Sequence, residues 1–313
     1  MPHVTFIHGI SNKPPRDQLL DFWLRSLAGG DDGIDLGAEG VTSSMVYWAD
    51  VLYELPLAGV DRESALNEAV AEEIQPEEPV ELEVERMDAG ELAWTAQLAA
   101  KLGVALAVEA GVEAAAGPAA EVLERVPLPW PIKRRLMKKL LRDVHHYLFN
   151  VRHRPRPDAE EYAVQDEIRG RMLRSLAEGA AASPPHVVVS HSMGTVVAYD
   201  CLKRLPENPA VDGLMTIGSP LGIDEIQDKM KPEWSREEGF PAAKLRGRWV
   251  NVYDKLDPVV GFDPTFSNDY RQGGREVVAD LNEQSRGRWR HDITKYLSGP
   301  RLRSELRGLL GLD

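Results

Sequence analysis

Two rhythms of hydrophobic and polar positions divide the 313-residue chain. Near the start, "HVTFI" (His3 to Ile7) is a short apolar run that ends at His8-Gly9-Ile10 and predicts a strand. "RDQLLDFWLRSLAGG" has helical spacing and closes in a glycine pair, a helix stop. "GVTSSMVYWADVLYE" predicts a second strand around Ser44 to Trp48. The same alternation returns after Pro157. "YAVQDEIRGRMLRSLAEGAA" predicts a helix, "HVVVS" a strand and "GTVVAYDCLKRL" a helix. "VDGLMTIGSP", "GRWVNVYDKLDP" and "REVVADLN" predict strands, and "DITKYL" opens a further helix. Short β-branched runs alternating with helices predict an α/β fold with a mostly parallel central sheet flanked by helices.

Between about Leu55 and Arg156 the pattern changes, with no convincing buried strand. "EEIQPEEPVELEVE" is acidic and proline-punctuated, which predicts exposure. An Ala-rich helical stretch from Leu92 follows. Pro131 suits the first turn of a helix, and after it Ile132, Leu136, Met137, Leu140, Leu141, Val144, Tyr147 and Leu148 recur at three- and four-residue spacing among basic residues. The expected organisation is therefore a core of residues 1–54 and 157–313, interrupted by a helical insertion at 55–156. No internal repeat is evident.

Composition narrows the function. A formal charge of −13 argues against a general affinity for nucleic acid or anionic membrane surfaces. Lys101, Glu109 and Glu113 interrupt the Ala-rich stretch, so no transmembrane segment is expected, although transient membrane contact through the insertion fits the basic amphipathic helix. The single cysteine, Cys201, leaves no intrachain disulfide, is expected to be a packed thiol, and fits a reducing, cytoplasmic setting. "MPHVTFIHG" has neither a basic n-region nor a long apolar core, so no targeting signal is read there.

The chemistry concentrates in "HVVVSHSMGTVVAYDC". Small residues surround one serine between a strand and a helix, as in a nucleophile elbow that exposes a serine hydroxyl at the sheet edge. Gly194 matches the second small position; Ser190 stands where the pattern has its first glycine. Ser192 is the candidate nucleophile, and a serine needs a base. After it the chain has only one histidine, His291, in "RWRHDITKYL". The acid is open between Asp254, Asp257 and Asp263 in "WVNVYDKLDPVVGFD". The backbone amides of Met193 and Ile10 are candidates for an oxyanion hole. His145 and His146 are adjacent on a helix and cannot form an i, i+4 ligand pair. No metal-spaced cluster or phosphate-binding glycine loop is read, so no metal or cofactor is expected. "RQGG" at 271–274 predicts a turn.

The motifs "FIHGI", "VVVSHSMGT", "TIGSPLG", "NVYDKLDPV" and "WRHD" together resemble the α/β-hydrolase superfamily, in particular its serine esterases and the GPI inositol-deacylase-like, lipase-related branch. The resemblance implies an α/β-hydrolase fold, with Asp257 in "DPVV" as the acid and residues 55–156 as a cap over the pocket. It covers both ends of the chain and leaves that insertion unexplained. The implied activity is hydrolysis of small-molecule or lipid carboxylic esters through a Ser192–His291–Asp257 triad. A lipase, phospholipase or acyltransferase is the neighbouring alternative, and a non-catalytic binding scaffold is the alternative from another class.

Overall fold

The computed structural model describes residues 1–57, 82, 86–103, 130–155, 158, 160–260, 263–285 and 290–312. The strands are β1 (His3–Ile7), β2 (Thr42–Val46), β3 (Arg152–His153), β4 (Tyr162–Ala163), β5 (His186–His191), β6 (Val211–Ile217), β7 (Leu245–Tyr253) and β8 (Val278–Asn282). The helices, in chain order, are α1 (Arg16–Ala28), α2 (Ala49–Leu52), α3 (Ala89–Lys101), α4 (Trp130–Leu148), α5 (Val164–Ala180), α6 (Met193–Arg204), α7 (Asp224–Lys229), α8 (Ile293–Leu297) and α9 (Pro300–Leu310).

Six strands form one sheet in the order β2-β1-β5-β6-β7-β8, and every neighbouring pair is parallel. The sequence predicts this architecture because both faces of the strands are apolar. Alternate residues feed two cores. Val4, Phe6, Val187, Val189, Val250 and Val252 face a layer containing Leu19 and Trp23 of α1 and Leu306 of α9. Ile7, Val188, Leu214 and Trp249 face the opposite layer, with Ile168 of α5 and Val196 of α6. The period of two thus places each strand between two helical layers.

The strand order positions the functional residues. From β1 the chain moves outward to β2, then returns to the other side of β1 and continues through β5 to β8. The carboxyl ends of β1 and β5 therefore lie side by side where the following helices, α1 and α6, leave for opposite faces. Ligands of open α/β sheets bind in the crevice at such a switch point.

The described parts of 55–156 do not stand apart from this core. Leu98 of α3 and Leu140, Val144 and Tyr147 of α4 belong to the same apolar cluster as α5 and α6. The predicted amphipathic helix is present as α4. The acidic stretch and the later part of the Ala-rich stretch lie, except for a few positions, outside the described residues. A small antiparallel pair, β3 with β4, was not foreshadowed by the hydrophobic pattern, since neither two-residue strand is buried. The second strand of the sheet begins at Thr42 and ends at Val46, earlier than the predicted Ser44 to Trp48, because Trp48 already leads into α2. Cys201 is fully buried in α6, and burial pushes its thiol well above the usual range. Among the described residues no helix is long and apolar enough to cross a membrane.

Candidate active site

Ser192 lies between the end of β5 and the first residue of α6, with φ 54° and ψ −130°. That is the left-handed half of backbone space, which costs a non-glycine residue on the order of 1–3 kcal/mol. Neighbouring bonds impose it. The Ser192 amide donates to the Ile217 carbonyl at 2.9 Å, and the Ser192 carbonyl accepts from the Thr195 amide (2.9 Å) and hydroxyl (2.6 Å).

The small residues around it have direct steric reasons. A Cβ on Gly194 would stand 2.5 Å from the His8 carbonyl oxygen and 2.8 Å from that of Ile7. A Cβ on Gly9 would stand 2.5 Å from Ser192 Cβ. The β1 loop and the serine turn therefore touch backbone to backbone. Ser190 is tolerated where the elbow pattern has glycine because its hydroxyl finds a partner inside the sheet, donating to the Met215 carbonyl at 3.1 Å.

His291 comes from beyond β8, immediately before α8, whose N-cap Asp292 accepts from the Thr294 amide at 2.9 Å. Its Nε2 is 2.8 Å from Ser192 Oγ, and its Nδ1 is 3.0 and 2.9 Å from the two oxygens of Asp257. A carboxylate only accepts, so Nδ1 carries the proton and Nε2 presents a lone pair to the serine hydroxyl. The Asp257 carboxylate is fully buried and also accepts from the Val259 amide and the Tyr296 hydroxyl, both at 2.8 Å. Gly218, at φ +54°, leaves room for this pair: a Cβ there would be 3.0 Å from Asp257 Oδ2 and 3.3 Å from His291 Nδ1.

The other two aspartates do different work. Asp254 accepts from the amides of Leu256 and Ser285 at 2.8 Å each, and from Arg290 at 3.1 Å. It ties the loop after β7 to the segment that delivers His291. Asp263 accepts from the Thr265 amide at 3.4 Å, and burial raises its carboxyl above the usual range.

Ile10 and Met193 are both buried beside the serine. Met193 is the first residue of α6, where a helix leaves its amides without intrahelical carbonyl partners. Ile10 follows Gly9, whose Cα lies against Ser192. Upstream, His8 stacks on Trp48 with ring centroids 4.9 Å apart. His8 Nε2 accepts from the Trp48 amide at 2.9 Å, so its Nδ1 donates to the Gly9 carbonyl at 2.8 Å. Burial holds the His8 imidazole down to about 3, which keeps it neutral in this role.

Two residues escaped the sequence reading. His191 donates from Nε2 to the His291 carbonyl at 3.1 Å, with ring centroids 4.8 Å apart. Burial and the neighbouring His291 hold its imidazole well below the usual range, so it is neutral. Tyr296 touches both aspartates of the loop after β7, since its hydroxyl also accepts from the Asp254 amide at 2.9 Å. A tyrosine one turn into the helix after the histidine was the available signal. Among the described residues no group of three or more His, Cys, Asp or Glu side chains is placed to hold a metal ion. His145 instead meets Glu91 at 2.7 Å. The predicted turn at 271–274 is present, with Gln272 and Arg275 paired across Gly273 and Gly274, both at positive φ.

No protein-family model matches the chain. No curated protein sequence matches it either. Among solved structures it is similar to an uncharacterized protein from Pseudomonas aeruginosa, at 12% identity and a TM-score of 0.31. That match covers 91% of this chain and 40% of the other, so the chain spans less than half the length of that structure. A likeness at this level carries no argument about fold family or activity.

Proposed function

We propose that the chain is a serine hydrolase of the α/β-hydrolase type that cleaves carboxylic esters with apolar acyl groups. The observation that carries the reading is the continuous chain of contacts from Ser192 Oγ through the His291 ring to Asp257. In the proposed reaction Ser192 Oγ attacks the ester carbonyl carbon while its proton passes to His291 Nε2. Asp257 holds the tautomer and stabilises the imidazolium. The amides of Ile10 and Met193 bind the oxyanion. The bond to the alcohol then breaks, and His291 returns the proton to the departing oxygen. A water molecule, deprotonated by His291, attacks the acyl carbon, and Ser192 leaves with its proton restored.

The preference for apolar acyl groups is supported by the buried apolar residues next to the serine and the aspartate, Ile10, Met193 and Val259. Residues 55–156 are read as the cap, a view supported by the bond between Asp143 of α4 and the loop after β1. A cytoplasmic setting, suggested by the single cysteine, is part of the same proposal.

The test is labelling with a fluorophosphonate, followed by mass spectrometry. An adduct on Ser192 that disappears in His291→Ala is expected, together with turnover of p-nitrophenyl esters. A folded wild-type protein that forms no adduct and turns over no ester would refute the reading and favour a binding scaffold.

A further inference from the structure

The loop carrying Ile10 is held from two sides. On one side His8 is fixed to Trp48, whose indole also donates to the His8 carbonyl at 2.9 Å. On the other side the Ser11 amide donates to Asp143 Oδ2 at 3.1 Å. Ser11 has φ +71°, a conformation that costs a residue other than glycine and that something must hold. The Asp143 side chain is fully buried, and it is itself fixed: Arg142 donates to Oδ1 from Nε (2.9 Å) and Nη2 (2.7 Å). Arg142 is held in turn by the Tyr53 hydroxyl.

We propose that Asp143 is a positioning residue for the hydrolysis described above. Its carboxylate grips the Ser11 amide and thereby keeps the Ile10 amide, one residue earlier, aimed at the developing oxyanion. The inference rests on the serine-hydrolase reading. It gives the 55–156 segment a part in catalysis distinct from covering a pocket: α4, 132 residues from Ser11 in sequence, sets the orientation of one oxyanion donor.

Asp143→Asn is the informative variant because it preserves shape. The two Arg142 donors claim the single amide oxygen, so the amide nitrogen faces the Ser11 N–H, donor against donor. The expected result, with p-nitrophenyl butyrate, is a fall in kcat of about 10- to 100-fold with KM changed less than about threefold. Affinity for butylboronic acid, whose tetrahedral adduct places an oxygen at the oxyanion position, should fall by the same factor as kcat/KM. Asp143→Ala should show the same split if the bond itself is what matters, and circular dichroism and melting confirm folding. A folded Asp143→Asn protein with kcat within twofold of wild type overturns the proposal. So does a fall in kcat with unchanged boronate affinity. Failure of both variants to fold assigns Asp143 a structural role and equally overturns it. Fluorophosphonate labelling of the wild type separates the two levels: no adduct sinks the hydrolase reading and this inference with it, whereas an adduct with unaffected variants sinks the inference alone.

Discussion

The Tyr296 hydroxyl donates to Asp257 Oδ2, the same carboxylate oxygen that stands 2.9 Å from His291 Nδ1, while accepting the Asp254 amide. One phenol thus fixes the Asp257 carboxylate and the backbone that leads to it. Burial and the Asp257 charge push the Tyr296 phenol well above its ordinary range, so it remains a donor at any working pH. Tyr296→Phe removes one hydrogen bond from the Asp257 carboxylate and leaves the Asp254 amide without its acceptor. The carboxylate is then held less firmly against His291, so kcat should fall about three- to thirty-fold with KM little changed. Steady-state rates equal to those of wild type would contradict the role assigned to the phenol.

The two aspartates of the acid loop should separate by kind of damage. Asp257→Asn removes the negative charge beside His291 and puts an NH2 donor in place of one acceptor oxygen, which fixes the wrong tautomer of the ring, and should lower kcat by roughly 10⁴ with little change in folding. Asp254→Asn disturbs a carboxylate that holds two amides and Arg290, so it should lower stability by about 1–3 kcal/mol and kcat by less than about tenfold. Urea melts and steady-state rates on both variants decide the matter. The reverse pattern would reassign the acid to Asp254.

At Gly194 the prediction is steric. An alanine Cβ would meet two backbone oxygens of the β1 end inside 3 Å, and neither can rotate away. Gly194→Ala should destabilise the fold by about 2 kcal/mol or more and reduce labelling of Ser192. A denaturant midpoint matching wild type would mean that the β1 loop gives way more easily than this packing implies.

Acid sensitivity follows from buried neutral imidazoles. Burial lowers His145, His146 and His186 to about 4 and His8 to about 3, against the ordinary 6.5. Between those values and 6.5 the unfolded chain binds protons that the folded chain refuses. Stability is therefore at its full value above pH 6.5 and is lost progressively as pH falls toward 4. Each such proton contributes a slope of about 1.4 kcal/mol per pH unit. Urea midpoints measured from pH 7.5 down to pH 5 should fall accordingly, before most carboxylates titrate. A flat midpoint over that range would show that these histidines open to solvent without unfolding.

How much of this was legible beforehand depends on the distance between partners. The sheet, its parallel character and the serine turn were readable because they rest on local patterns: "HVVVS" is apolar on both faces, and Gly194 follows Ser192 by two residues. His291 was readable by elimination, being the only histidine after the serine. The acid was not decided by its neighbourhood, because Asp254 and Asp257 share one loop, and only the placement of the ring shows which of them the imidazole faces. The bond from Asp143 to Ser11 left no trace in either local sequence, as nothing in "RRLMKKLLRDVHH" distinguishes a carboxylate that fixes a distant loop from one on a solvated helix face. The replacement of glycine by Ser190 looked like a departure in the sequence. In the fold it is a hydroxyl with a strand carbonyl to bond.

The order of the chemical parts along the chain sets a timetable for the protein's birth. His291 stands 99 residues after Ser192. At translation speeds of about 5–20 residues per second, a ribosome completes the serine turn roughly 5–20 s before it adds the base. During that interval a chain folded as far as β6 would present the Ser192 hydroxyl with no His291 beside it. On the proposed chemistry, the growing polypeptide would be harmless to cellular esters until the segment beyond β8 is placed, and a serine-directed probe would report chains in which His291 has reached Ser192.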